Sequence, residues 1–130
     1  MTTKFLTTDQ VMEIHDTFVE EYSGLPGIRD HSLLDSAVQM SKLTVFGEDM
    51  HPTLYDKAAA YLYHIVKNHP FNDGNKRTGA GAALIFLRVN GIDPEYDNDS
   101  YVQLVVSVAE GSVNKSEIRE FFKGILVSVP

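Results

Sequence analysis

The densest run of chemically useful side chains in the sequence is His69-Pro70-Phe71-Asn72-Asp73-Gly74-Asn75-Lys76-Arg77. A glycine and an asparagine directly before a helix let successive backbone N–H groups converge, and the unpaired amides with the positive end of the helix dipole attract an anion. Lys76 and Arg77 add formal charge at that point. Asp73 would repel an anion there unless a divalent cation lies between them, as Mg²⁺ does at nucleotide phosphates. His69, at the end of the preceding helix, is placed to take a proton from an attacking hydroxyl. Together these are the parts of phosphoryl or nucleotidyl transfer. Taken singly, each has a plainer reading: a histidine at a helix end usually bonds a backbone carbonyl, and Asn-Asp-Gly-Asn is ordinary turn vocabulary.

The charge distribution singles out the same place. Over 130 residues the net charge is −7, from 11 Lys and Arg against 18 Asp and Glu, which argues against a surface built for direct nucleic-acid binding. Between Lys67 and Arg88, however, Lys67, Lys76, Arg77 and Arg88 face a single acid, Asp73, giving a local +3 within a remainder of −10. A positive island in an acidic protein suits a small anion better than a duplex. There is no Cys, which excludes a disulfide framework, a thiolate zinc site and a cysteine nucleophile. No stretch approaches the roughly 20 apolar residues of a membrane span, and the N-terminus lacks a basic region followed by an apolar run. The expectation is a soluble, cytoplasmic chain of one domain, residues 1–130, with no membrane contact.

Helices must position the loop. Thr7 with Gln10 forms a capping box, and Val11, Ile14, Phe18 and Tyr22 recur near helical spacing before Gly24. The turn-rich segment SGLPGIRD (23–30) leads to Asp30 as cap for a shorter helix with Leu33, Leu34, Ala37, Val38 and Met40 on its apolar face. From Lys42 to Pro52 the helical period is lost, and Leu43 to Phe46 is β-prone before Gly47, so the segment is an exposed loop or a short hairpin. Thr53 with Asp56 opens a helix that is apolar on nearly every side and therefore central; Pro70 ends it near Asn68. A further helix from about Lys76 to Asn90 is rich in glycine and alanine, allowing close neighbours. Asp99 is the candidate cap of a helix to Glu110. A last helix from about Lys115 to Val127 directs Ile118, Phe121, Phe122, Ile125 and Leu126 inward.

HPFNDGNKR resembles the signature of the Fic/Doc family in its Doc (death-on-curing) form, H-x-F-x-D/N-A/G-N-K-R, and the upstream GIRDHSLLDSAV is similar to the early part of Doc-like chains. With length and helix order, the resemblance spans nearly the whole chain. It implies an all-α, single-domain Fic fold of about six helices, with a short β-hairpin flap as an option. Carried over by residue, it makes His69 the general base, Phe71 the apolar anchor of the loop and Asp73 the Mg²⁺ ligand. Gly74 and Asn75 would present the anion nest to ATP phosphates, and Lys76 and Arg77 would neutralise them as charge moves.

The signature also bears on which group moves. Fic proteins that transfer AMP resemble HPFxxGNGRxxR; here Lys76 replaces the second glycine and Ala80 stands where the second Arg would be. A lysine stem obstructs a close backbone approach, and the lost Arg removes a bidentate phosphate clamp. Doc proteins share the lysine, and the resemblance implies a toxin that binds ATP in a reversed sense and moves its γ-phosphate to a threonine of elongation factor Tu, stopping translation. AMP transfer to a protein hydroxyl and a non-catalytic partner-binding module are the alternatives. Gly81 departs from the Asn that Doc-like chains can carry there, which bears on nucleotide affinity. Lys67 is similar to a basic residue often found before the signature, and is equally readable as a solvated helix-end lysine. The inhibitory pattern S/T-x-x-x-E-G/N of many Fic proteins is missing, since Glu110-Gly111 has Val106 at the required Ser/Thr position. The resemblance therefore implies a separate, Phd-like antitoxin; Lys42–Pro52 reads equally as a flap that docks the target or as an ordinary connecting loop.

Other polar groups have plainer readings. A transition-metal site from His64, His69 and Asp73 is disfavoured because the two histidines flank a helix end and point apart. His15, His31 and His51 have no convergent partners in sequence and are expected at the surface or in caps. Tyr55, Tyr61 and Tyr63 are expected at the core edge.

Overall fold

A computed structural model of the chain describes residues 2–127. The fold is all-α but for one hairpin. Helices α1 (Thr8–Tyr22), α2 (His31–Gln39), α3 (Leu54–Asn68), α4 (Asn75–Val89), α5 (Asn98–Glu110) and α6 (Lys115–Val127) are joined by loops; a 3₁₀ turn (Met40–Lys42) and strands β1 (Thr44–Val45) and β2 (Glu48–Asp49) lie between α2 and α3.

The helix starts follow from capping chemistry. The Thr7 hydroxyl accepts the Gln10 amide at 3.1 Å while Gln10 Oε1 accepts the Thr7 amide at 2.8 Å, and Thr53 and Asp56 repeat the exchange at α3. Asp30 caps α2 by accepting the Leu33 amide at 3.0 Å. The cap of α5 is Asp97, not Asp99: the Asp97 carboxylate reaches the Ser100 amide at 2.9 Å, and Asp99 sits in the first turn, where its charge meets the helix dipole.

Central α3 packs against α2, α4, α5 and α6, with α1 against the outer side of α4. Ala58, Ala59, Ala60, Leu62 and Ile65 of α3 are fully buried. Tyr61 is also wholly within the core rather than at its edge, because its hydroxyl finds a partner there, accepting the Leu6 amide at 2.9 Å; Tyr55 and Tyr63 are partly buried. Glycines on α4 set the helix spacing. A Cβ at Gly79 would come 2.9 Å from Val66 Cγ2 on α3, and one at Gly81 would come 2.8 Å from Phe18 Cε2 on α1. From α6, Ile118 and Phe122 close the core and Phe121 packs at its edge; the side chains of Ile125 and Leu126 lie outside the described residues.

Between Lys42 and Pro52 the chain forms a hairpin, pairing Thr44 with Asp49 and Val45 with Glu48 across Phe46-Gly47. Both turn residues have positive φ, 52° and 79°, the geometry that matches the twist of a two-residue hairpin turn. The hairpin base is fastened by Lys57 of α3, a buried lysine that donates to the carbonyl of His51 and pairs with Asp49 at 3.5 Å. Its tip is free: Phe46 is fully exposed, and Leu43, Val45 and Met50 are exposed beside it.

Candidate active site

The loop between α3 and α4 holds itself from inside. Asn75, the first residue of α4, is buried and turns its amide group back on the loop: Oδ1 accepts the Phe71 amide at 2.9 Å and Nδ2 donates to the Phe71 carbonyl at 3.0 Å. Phe71 is fully buried, which contributes about 1.5–3 kcal/mol to holding the loop on the core. His69 closes α3 in the left-handed region at φ 52°, where His is one of the better tolerated non-glycine residues. Gly74, at φ 77°, starts α4 without a side-chain cap.

The loop is also held from outside by residues 24–30, which run antiparallel to it. Ile28 and Phe71 form an isolated β-bridge. The amides of Arg29 and Asp30 both donate to the Pro70 carbonyl, at 2.7 and 3.1 Å, and the Asn72 amide donates to the Gly27 carbonyl at 3.2 Å. The Arg29 side chain caps the end of α3, Nε donating to the His69 carbonyl at 2.7 Å and Nη2 to the Asn68 carbonyl at 3.0 Å. In the sequence SGLPGIRD reads as a turn-rich connection whose GIRD shares the resemblance, but nothing in it marks the strap or Arg29 as a support of the loop.

Helix α1 forms a third wall. His15 is buried rather than exposed; its ring stacks on Phe71 with centroids 3.8 Å apart, and its Nε2–H donates to the Asp73 carbonyl at 2.8 Å. One face of α1, through His15, Phe18, Val19 and Tyr22, lines a cleft of about 160 Å³ with Gly24, Asp73, Gly74 and Arg77. The spacing of those α1 residues was the available signal for this wall, though it reads equally as an ordinary apolar face.

Asp73 accepts the Leu25 amide on Oδ2 at 3.0 Å and the Gly74 amide on Oδ1 at 2.9 Å. These two amides hold its carboxyl below the usual carboxylate range, with His15 and Arg77 adding to the effect. The Gly74 amide is therefore taken by Asp73 itself, and Asn75 offers its backbone rather than its side chain to a ligand. At the start of α4 the amides of Asn75, Lys76 and Arg77 have no partner among the described residues. The side chains of His69, Lys76 and Arg77 are exposed and likewise make no hydrogen bond there. Donors for a polyphosphate thus converge beside an exposed carboxylate whose oxygens each retain a lone pair. That donor set fits a Mg²⁺-bound nucleotide phosphate, for which one or two carboxylates and the substrate's own oxygens suffice.

The remaining candidates lie elsewhere. His64 is turned toward Lys115, whose Nζ donates to His64 Nε2 at 3.0 Å and to His51 Nε2 at 3.1 Å. His51 is thereby buried rather than superficial, while His31 is exposed. Burial first, and then the Lys115 charge, push His64 down to about 4 and lower His51 as well. Among the described residues no three His, Cys, Asp or Glu side chains converge. Lys67, in the last turn of α3, leans toward the end of α5, its Nζ 3.3 Å from where a Cβ on Gly111 would stand. Among the described residues no helix is long and apolar enough to cross a membrane.

Comparison with known proteins converges on this region. A model described as the Fic/DOC family matches residues 5–87, which include the α1 wall, the strap, the loop and nearly all of α4. The chain is similar to Toxin Doc of Mycolicibacterium smegmatis (strain ATCC 700084 / mc(2)155), 43% identical over 90 residues that make up 68% of this chain and 69% of that protein. It is also similar to Protein kinase doc of Escherichia phage P1, 30% identical over 117 residues, 90% of this chain and 91% of the relative.

Proposed function

Because this chain belongs to the Fic/DOC family, on its Doc branch, we propose that it is the toxin of a toxin–antitoxin pair, a protein kinase that moves the γ-phosphoryl group of ATP to a Ser/Thr hydroxyl. The acceptor is a threonine of elongation factor Tu, so that translation stops, and a Phd-like antitoxin restrains the toxin. Residues 1–130 act as one cytoplasmic domain. The reading is supported by a relative named as a protein kinase that aligns with 90% of the chain. The observation that carries it is a division of labour in the loop: Phe71, Asn72 and Asn75 are spent on holding it, while His69, Lys76 and Arg77 keep their side chains free of hydrogen bonds to the described protein.

In this reading the amides of Asn75, Lys76 and Arg77, with the Lys76 and Arg77 side chains, bind the phosphates and match the charge that develops on them. Asp73 would hold Mg²⁺, which would supply neutralisation of the phosphate charge. His69 takes the proton of the acceptor hydroxyl as its oxygen bonds to the γ-phosphorus, and the bond from that phosphorus to the bridging oxygen breaks to release ADP. The exposed hairpin between α2 and α3 offers an edge along which the acceptor segment can be aligned.

Incubation with γ-labelled ATP, Mg²⁺ and elongation factor Tu tests the reading. Label is expected in the factor and lost in His69→Ala. Label only from α-labelled ATP would overturn it in favour of AMP transfer, and no Mg²⁺-dependent nucleotide binding by calorimetry would leave a non-catalytic binding module.

A further inference from the structure

Arg77 is the one residue of the loop able to grip a phosphate bidentately, yet no hydrogen bond or ion pair among the described residues fixes its side chain. What it does touch is aromatic. Its Cζ lies 3.8 Å from the ring centroid of Tyr22, the last residue of α1. Tyr22 is 55% exposed, and its hydroxyl makes no hydrogen bond among the described residues. The ring, rather than the hydroxyl, is therefore what this position contributes.

Stacking of a guanidinium on a ring uses the flat face of the cation and leaves its N–H edges for other acceptors. An ion pair would restrain the side chain equally well but would consume the donors a phosphate needs. A free arginine, in turn, loses rotamer freedom when it closes on a ligand, and a partner that restricts it beforehand removes part of that loss. We propose that Tyr22 is a positioning residue for phosphate binding: its ring holds the Arg77 guanidinium against the end of α1 with the N–H fork unspent. This rests on the phosphoryl-transfer reading above and extends it to a residue outside the signature. It also gives α1 a double task, since His15 fixes the backbone of Asp73 and Tyr22, on the same helix face, fixes the side chain of Arg77.

The test uses the full chain and Mg²⁺-ATP binding by calorimetry, with wild type, Tyr22→Phe, Tyr22→Leu, Arg77→Gln and the double variant Tyr22→Leu/Arg77→Gln. Tyr22→Leu is expected to weaken binding about 3- to 10-fold and Tyr22→Phe by less than about 2-fold. In the Arg77→Gln background Tyr22→Leu should add little, because the two act through one contact. A second readout needs no nucleotide: the Nε–H proton of Arg77 should show an upfield ring-current shift in wild type and Tyr22→Phe that disappears in Tyr22→Leu. The assignment is overturned if Phe fails as badly as Leu, if Leu costs the same with and without Arg77, or if the Arg77 resonance ignores the substitution. Wild type that binds Mg²⁺-ATP with unchanged affinity in Tyr22→Leu defeats this proposal alone; wild type that binds none defeats it together with the kinase reading.

Discussion

His69 and Asn75 share one loop and are used in opposite ways. The His69 side chain is exposed and bonded to nothing among the described residues, so His69→Ala should leave the thermal midpoint nearly unchanged while phosphoryl transfer falls by roughly 10²- to 10⁴-fold, measured side by side on the same preparation. Asn75 is buried and fully occupied with the Phe71 backbone. Asn75→Ala leaves an amide and a carbonyl unpaired in the interior, and urea denaturation should show a loss of about 2–4 kcal/mol. Its loss of activity would follow from a misplaced loop rather than from missing chemistry. Asp73 lies between these extremes, tied by two backbone amides and still open to solvent. Those two amides hold its carboxyl below the usual carboxylate range, so it is ionised at neutral pH. The functional candidates were legible because their types are rare in such a cluster. The clamp was hidden, because an asparagine in a turn looks the same whether its amide faces a ligand or its own backbone.

At the scale of elements, the α1–α4 contact makes Gly81 costly to exchange for the Asn that the family resemblance allows at this place. Gly81→Asn would drive a Cβ to 2.8 Å from the Phe18 ring, so about 1–3 kcal/mol of stability should be lost in chemical denaturation, and Phe18→Leu in the same chain should recover part of it. The α3–α6 contact carries a pH dependence. His51 and His64 accept hydrogen bonds from Lys115, with Asp56, Lys57 and Arg119 as the other charged groups around them. The folded pKa of His64 is pushed from 6.5 to about 4, so the unfolded chain binds the proton more readily. Stability is thus fully present above pH 6.5 and declines as the pH falls through 4; discounted for partial exposure, the loss is on the order of 2 kcal/mol. Urea midpoints from pH 7 to pH 4 should show it, and a His64→Phe chain should show a shallower decline. Helix number, caps and ends could be read locally, from Thr7–Gln10, Thr53–Asp56 and Pro70. The His51–His64–Lys115 group and the strap could not, because they join residues far apart in sequence whose local patterning has no need of them.

For the whole molecule, the central position of α3 is the governing fact. It touches α2, α4, α5 and α6, so no helix layer has a core of its own to retain. Heat or urea should therefore unfold the chain in one cooperative transition, with helix content and near-ultraviolet tyrosine signals tracing coincident curves. The acidic average with a basic island at the loop was readable from composition. Which walls enclose the island was not, since α1 and residues 24–30 reach it only through the tertiary fold. That strap has a consequence for anyone who would move the site. Grafted onto a foreign helical hairpin, His69–Arg77 would arrive without Leu25 for the Asp73 carboxylate, Gly27 for the Asn72 amide and Arg29 for the last carbonyls of α3. The transplantable unit is the signature together with the end of α1 and the strap, and a library that varies the signature alone leaves most of its scaffold unaddressed.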